Sequence, residues 1–120
     1  MTDKIFTREE WVKALELLKS KYRVFVPAKD GDFHNFFSLE DGKKPDFDYQ
    51  NTRKSPKSVI YPQSERMFEY SLDEADPDVN ILKESPKDYT AQAVVGIRPC
   101  DAQAFQIVKR NFDNPEFKDP

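Results

Sequence analysis

The spacing of hydrophobic positions at the start of the chain predicts an amphipathic helix. Four apolar residues recur at i, i+3, i+4 and i+7, which places them on one helical face. They are Trp11, Ala14, Leu15 and Leu18. Thr7 and Glu10 form the T-R-E-E pattern of a capping box, so we expect the helix to begin after Thr7 and to end near Ser20. Phe6, just before the cap, is expected to pack on the first turn as a hydrophobic staple.

A β-hairpin is predicted next. Residues 22–26 (YRVFV) are β-branched and aromatic, which favours a strand, and Pro27 is expected to end it. Residues 29–32 (KDGD) have the composition of a turn, and residues 33–39 are apolar enough for a second strand.

The middle of the chain gives weaker signals. Residues 41–57 are mostly charged or polar and are punctuated by prolines, which predicts a surface loop or an extended segment anchored only by Phe47 and Tyr49. Residues 58–61 (SVIY) predict a short buried strand closed by Pro62. Residues 64–72 fit either a helical turn or a strand with period-two alternation, and the acidic segment 73–88 contains a short run, 79–82, that can pair weakly.

The clearest unit closes the chain. Residues 91–97 (AQAVVGI) form an apolar run typical of a central strand, residues 98–100 form a tight loop, and Asp101 is the expected N-cap of a helix. The apolar face of that helix consists of Ala104, Phe105, Val108 and Phe112. The whole pattern predicts an α+β fold: a small mixed sheet with an N-terminal helix and a C-terminal strand-loop-helix unit. We expect one domain over residues 1–112 and the start of a linker over residues 113–120.

Composition and charge argue against several classes of protein. Of the 120 residues 38% are apolar and 13% aromatic, so we expect a core built from large rings. The 19 basic and 22 acidic residues give a net charge of −3, which disfavours a nucleic-acid partner. The chain has neither an apolar run of about 20 residues, as a membrane span requires, nor a secretory signal in its first residues. Its single cysteine cannot form an intramolecular disulfide, which favours a cytoplasmic location.

The strand-to-helix junction at residues 96–101 (GIRPCD) is the strongest candidate site. Ligands gather where strands end and helices begin, and a helix start with a nearby arginine stabilises a thiolate, so Cys100 is a candidate metal ligand. The alternative is that Cys100 is a small buried hydrophobe beside a capping aspartate. Arg98 either binds a phosphate or carboxylate or pairs with an acidic neighbour. Asp101 is either an acid-base group or simply the cap.

A second polar group surrounds residues 58–61. Lys57, Gln63 and Glu65 can form a cluster that binds a ligand or a neighbouring domain, although turn formation explains them equally well. His34 has no partner cysteine, and we expect it at the surface or half-buried. One cysteine and one histidine cannot hold an iron–sulfur cluster, which needs about four ligands. No Gly-rich phosphate loop, nucleophile elbow or zinc-protease motif is present in the sequence.

Two blocks of the sequence resemble a family of iron–sulfur electron-transfer subunits. Residues 55–68 (SPKSVIYPQSERMF) are similar to its "SPK…(F/Y)PQ-x-E-x-(L/M)F" block, and residues 95–102 (VGIRPCDA) to its "(V/F)G-(V/I)-RPCDA" block. The family includes iron–sulfur subunits of cytoplasmic sulfhydrogenases and of anaerobic sulfite reductase. The order and separation of the blocks also agree, whereas residues 1–51 fit only loosely.

The resemblance implies that this chain is the N-terminal module of a longer electron-transfer protein. In the family, two four-iron four-sulfur clusters follow in a cysteine-rich region, and this sequence contains no such motif. Its parent would pass electrons between a flavin- or ferredoxin-type electron-transfer partner and a catalytic subunit such as a hydrogenase or sulfite reductase. Two alternatives remain open: a stand-alone protein-interaction domain, and a small flavin- or nucleotide-binding domain that uses Arg98 and the helix start at Asp101.

Overall fold

The computed structural model describes residues 5, 7–61, 64–116 and 118, and it has the predicted α+β architecture. Its elements follow in this order: α1 (Arg8–Lys19), β1 (Arg23–Asp30), β2 (Phe33–Ser38), a 3-10 turn (Leu39–Asp41), α2 (Lys57–Ile60), β3 (Phe68–Glu69), β4 (Lys83–Glu84), β5 (Gln92–Val94) and α3 (Pro99–Phe112). The predicted N-terminal helix and C-terminal strand-loop-helix unit are both present. Within the described residues no helix is long and apolar enough to cross a membrane.

The start of α1 is fixed by the predicted capping box. The Thr7 hydroxyl accepts a hydrogen bond from the backbone N–H of Glu10 at 3.3 Å, and the Glu10 carboxylate accepts from the backbone N–H of Thr7 at 2.8 Å. These bonds satisfy two N–H groups that a helix start otherwise leaves without a partner. Phe6, the expected staple residue, lies outside the described residues.

Three strands form one sheet in the order β2-β1-β5. β1 runs antiparallel to β2 and parallel to β5. The predicted hairpin is confirmed, and its two-residue loop begins with Gly31 at a φ of 65°, a conformation that favours glycine. β1 is therefore the central strand. The prediction that residues 91–97 form a central strand is wrong, because β5 pairs only with β1 in the described chain.

The prediction that β1 ends at Pro27 is also wrong. The strand continues to Asp30, and Pro27 lies opposite Phe36 of β2. The pairing between β1 and β5 ends at Phe25. Proline has no backbone N–H to donate, and at Pro27 there is no β5 residue opposite that would require one. The Pro27 carbonyl instead accepts a hydrogen bond at 2.8 Å from the backbone N–H of Asp46.

The core is small and aliphatic, in contrast to the expected core of rings. Its central cluster consists of Leu15, Val24, Val26 and Leu39, all buried. Trp11, Leu18 and Val95 pack against this cluster from its edge. The aromatic side chains of the described residues are half-buried or exposed, and none is fully buried in this cluster.

The prediction of a strand over residues 58–61 is wrong, since residues 57–60 form the short helix α2. Pro56 has a φ of −61° and a ψ of −13°, which starts a helical turn. The Ser55 carbonyl accepts from the backbone N–H of Ser58 at 3.1 Å, and the Pro56 carbonyl accepts from that of Val59 at 3.0 Å. The local turn formed by Ser55 and Pro56 outweighs the β propensity of the next residues.

The second sheet joins the ambiguous segment 64–72, which contains β3, to the acidic segment 73–88, which contains β4. β3 pairs antiparallel with β4, and an isolated bridge joins Ser71 to Val79.

The Cα radius of gyration is 18.3 Å, whereas a compact domain of this length has one of about 14 Å. The molecule is therefore elongated.

Candidate functional site

The β5–α3 corner, residues 95–101, contains the three strongest candidates from the sequence. Arg98 is the N-cap of α3 and has extended backbone, with a φ of −71° and a ψ of 148°. Pro99 is the first helical residue, where its missing N–H has no cost. Because Pro99 starts the helix, Asp101 lies inside the first turn. The prediction that Asp101 is the N-cap, and that residues 98–100 form a loop, is therefore wrong: the N-cap is Arg98, three residues earlier.

Arg98 and Asp101 form an ion pair across this first turn. The Arg98 Nε donates to the Asp101 Oδ2 at 2.9 Å, and the Asp101 side chain is only 16% exposed. The hydrogen bond that Arg98 donates to Asp101 raises the pKa of the Arg98 guanidinium. Of the two roles weighed for Arg98, the structure therefore shows the pair with an acidic neighbour. Asp101 holds the guanidinium next to the helix start, where a carboxylate also interacts favourably with the helix dipole.

Cys100 lies between these two residues in the chain and is exposed. It is the second residue of α3, so its thiol is at the positive end of the helix dipole. The alternative in which Cys100 is a buried small hydrophobe is contradicted by this exposure. A thiol at such a position is open to a ligand or to a neighbouring chain.

A segment without regular secondary structure, residues 43–55, crosses the sheet and reaches this corner; we call it the strap. The Tyr49 hydroxyl donates to the Gly96 carbonyl at 2.6 Å. Its ring stacks on His34 with 5.7 Å between centroids, and it meets Phe36 edge-on. Burial raises the pKa of Tyr49. Tyr49 is not among the residues predicted for the site, although an aromatic residue in a charged stretch is a signal that the sequence offers.

The strap is also tied to the sheet by His34. The His34 Nε2 lies 3.1 Å from the Asp46 Oδ2, and the His34 carbonyl accepts from the backbone N–H of Arg53 at 2.9 Å. The hydrogen bond with His34 lowers the pKa of Asp46. His34 is half-buried, as expected. Its side chain therefore holds the strap, and the expectation that few contacts anchor this segment is wrong.

The second group of candidates, Lys57, Gln63 and Glu65, is not part of the β5–α3 corner. Lys57 begins α2 and is exposed, Glu65 is exposed, and Gln63 lies outside the described residues. Tyr61, which follows α2, packs edge-on against Phe112 at 5.2 Å between ring centroids. Phe112 is the last residue of α3, about 20 Å along the helix from its first turn. Among the described residues no hydrogen bond or ion pair joins Lys57 or Glu65 to the β5–α3 corner.

A cavity of about 1150 Å³ lies between α1, β1 and the strap. Its apolar walls include Trp11 and Phe47, whose rings meet edge-on at 6.1 Å. Three lysines and three carboxylates line it: Lys29, Lys43, Lys44, Glu9, Asp46 and Asp48. This balance of charge gives no preference for an anionic cofactor, and neither Arg98 nor Asp101 lines the cavity. The arrangement does not favour the flavin or nucleotide alternative.

The donor set of the described chain does not fit a complete iron–sulfur cluster. A cluster needs about four ligands, and the described residues contain no group of three or more His, Cys, Asp or Glu side chains placed to hold a metal. His34 already binds Asp46, which leaves Cys100 as one exposed soft donor. Any cluster that used Cys100 would take its other ligands from outside this domain.

Comparisons with known proteins do not identify the family that the two sequence blocks resemble. No family model, curated protein or solved structure matches this chain.

Proposed function

We propose that this chain is the N-terminal module of a cytoplasmic iron–sulfur electron-transfer subunit. The observation that carries the proposal is the exposed Cys100 thiol in the first turn of α3, inside the block that resembles the family. The thiol lies in the same helical turn as the Arg98–Asp101 ion pair, and a deprotonated thiol is the form that binds metal. A cysteine that only fills space does not need an exposed position.

In this proposal the domain binds and orients, and the cluster-bearing region of the parent carries the electrons. The β5–α3 corner is the face that receives that region, with Cys100 either ligating a cluster or lying beside one. Two contacts of the strap, from Tyr49 to Gly96 and from His34 to Asp46, hold the corner on the sheet. The parent passes electrons between a flavin- or ferredoxin-type electron-transfer partner and a catalytic subunit of the hydrogenase or sulfite reductase type.

The test compares this 120-residue chain with the product of the complete reading frame, both purified without oxygen. Iron and acid-labile sulfide are measured per chain. We expect no stoichiometric iron in the 120-residue chain, because its donors fall short of the four that a cluster needs. We expect about eight iron atoms per chain in the complete product, two clusters of four, as the resemblance implies. A complete product without iron, or a reading frame that ends at Pro120, contradicts the proposal.

A stand-alone protein-interaction domain is the second candidate, and one observation favours it. Several large apolar side chains between residues 67 and 82 are at least half exposed. In that case Cys100 has no ligand role, and the colourless 120-residue chain is the functional form.

A further inference from the structure

Residues 68–72, which begin with β3, present their apolar side chains to solvent. Phe68, Tyr70 and Leu72 alternate along the chain and are 53%, 64% and 72% exposed. The residues between them, Glu69 and Ser71, are half-buried. Successive side chains of a strand point to opposite faces, so the apolar face is the outer one. This is the reverse of an ordinary surface strand, in which the apolar face points inward.

The partner strand extends the same apolar face. Phe68 pairs with Glu84, and Leu82, two residues before Glu84, shares the face of Phe68 because side chains alternate along a strand. Leu82 is 65% exposed. The apolar patch consists of Phe68, Tyr70, Leu72 and Leu82, each more than half exposed. At about 100 Å² each, these side chains expose about 400 Å², within the range of the largest patch on a monomer.

The region around this patch is strongly acidic. Residues 64–88, which we call the acidic arm, contain eight acidic and three basic residues, a net charge of −5. The chain as a whole has a net charge of −3, so its remaining residues carry +2. The patch therefore combines an apolar centre with a negative rim, the pattern of a protein interface with an oppositely charged partner.

The two-stranded sheet of the acidic arm has little support from the rest of the described chain. β3 and β4 have two residues each, and their extensive contacts are with each other rather than with the three-stranded sheet. A two-stranded sheet on its own is marginally stable in water. Covering its apolar face with another protein surface supplies the burial that the arm lacks.

We infer that the apolar face of the acidic arm binds a different protein chain through a surface with an apolar centre and a rim of lysines and arginines. A second copy of this chain fits poorly, because a symmetric dimer through this face sets a charge of −5 against −5. The exposed apolar area of about 400 Å² is about half of the roughly 800 Å² that one partner contributes to a standard interface, and slightly more than half of such an interface is apolar. The inference does not involve the β5–α3 corner or iron, and it stands whether or not the parent carries clusters.

The test places a photo-crosslinking benzoylphenylalanine at residue 70 of the native gene product, in cells that carry the gene. The matched control places it at residue 89, because Tyr89 is 63% exposed and Tyr70 is 64% exposed. Asp88 pairs with Arg23 of β1 at 2.8 Å, so residue 89 lies beside the three-stranded sheet. The adduct is digested, and the crosslinked peptide of the partner is sequenced.

We expect a discrete adduct from residue 70, at least tenfold stronger than from residue 89, with a partner peptide in which lysines or arginines flank apolar residues. Replacing Leu72 and Leu82 together by serine lowers the yield at least tenfold without affecting the core, since both side chains are exposed. The triple variant Glu65→Gln, Glu74→Gln, Glu84→Gln lowers it several-fold and weakens its salt dependence. These three side chains form no ion pair with the described residues.

Four outcomes overturn the inference: an adduct only with a second copy of this chain, equal yields from residues 70 and 89, a partner peptide without basic residues, or no adduct at all. Iron analysis of the complete gene product is a separate readout. A protein without iron that still forms the adduct contradicts the proposed electron-transfer role and leaves this inference intact.

Discussion

Gly96 lies against the Cδ1 and Cε1 atoms of the Phe47 ring. A Cβ atom added at Gly96 would come within 2.8 Å of both Cδ1 and Cε1 of Phe47, and within 3.4 Å of Cδ of Pro27. Gly96 also has a φ of 80°, which residues with a side chain rarely adopt. Trp11 contacts the Phe47 ring and limits how far it can move. The strap therefore closes on the β5–α3 corner at a point that only glycine fits.

We expect Gly96→Ala to destabilise the fold more than a glycine substitution at an open position. Gly42 also has a positive φ, 72°, but a Cβ there has open space. Gly42→Ala should lower the free energy of unfolding by about 1–2 kcal/mol, the strain of a left-handed backbone. Gly96→Ala should cost about 1–3 kcal/mol more because of the ring, measured by urea denaturation.

The additional destabilisation by Gly96→Ala should disappear when the Phe47 ring is removed. In a double-mutant cycle, Gly96→Ala in a Phe47→Ala background should cost about as much as Gly42→Ala. Equal costs of Gly96→Ala with and without the Phe47 ring would show that the strap does not press on the corner.

The stability of the domain should fall in acid through Asp88. The side chain and backbone N–H of Thr90 donate to the Asp88 carboxylate, and Arg23 pairs with it, which lowers the pKa of Asp88 to about 2. The ordinary pKa of this group is 3.8. A lowered folded-state pKa stabilises the fold above the unfolded-state pKa, and this contribution is lost as the pH falls from about 4 to 2.

The measurement is the free energy of unfolding between pH 2 and pH 5. The dependence on pH should be weaker in Asp88→Asn than in the wild type. Glu74→Gln is the control, because the exposed Glu74 makes no hydrogen bond or ion pair with the described residues. The free energy of unfolding of Glu74→Gln should change with pH in parallel with that of the wild type. Parallel curves for Asp88→Asn and the wild type would contradict the assignment.

Removing the Tyr49 hydroxyl should loosen the strap. Tyr49→Phe loses the hydrogen bond to the Gly96 carbonyl and should lower the free energy of unfolding by about 1 kcal/mol. Proteolytic nicking within residues 43–55 should become faster in the native protein, and amide exchange there should rise. Tyr89→Phe is the matched control, since the hydroxyl of Tyr89 makes no hydrogen bond with the described residues. Equal nicking rates in the two variants would show that this hydrogen bond does not hold the strap.

Cys100→Ser should leave the fold nearly unchanged. The residue is exposed, and surface substitutions usually change stability by less than about 0.5 kcal/mol. In the wild type, one thiol per chain should react with a thiol reagent without prior unfolding. A thiol that reacts only in denaturant, or a loss of several kcal/mol in the variant, would mean that Cys100 belongs to the packed core.

The parts of the fold that were predicted correctly are those with local causes. The capping box at Thr7 and Glu10 fixed the start of α1, and Gly31 marked the hairpin loop. The predictions that were wrong depend on contacts between distant residues. Pro27 stays in its strand because the neighbouring strand has ended, which no local pattern reveals. The strap is anchored by Tyr49 to a carbonyl 47 residues later in the chain.

The candidate site was also predicted correctly only where its causes are local in the sequence. Arg98, Cys100 and Asp101 lie together because they are neighbours in sequence. Asp101 was misplaced because Pro99 starts the helix earlier than an aspartate cap would. Lys57 and Glu65 were grouped on the assumption of a strand at residues 58–61, and the helical turn that forms there instead places α2 near the far end of α3.

The central claim, that the β5–α3 corner receives the cluster-bearing region of an electron-transfer subunit, is tested most directly by electron paramagnetic resonance. The complete gene product is purified without oxygen, reduced, and compared with its Cys100→Ser variant at equal protein concentration. We expect the wild type to show the signals of two four-iron clusters, and the variant to change the signal or reduction potential of one of them. Identical spectra and potentials in the two proteins, or a complete product that shows no cluster signal, would contradict the claim.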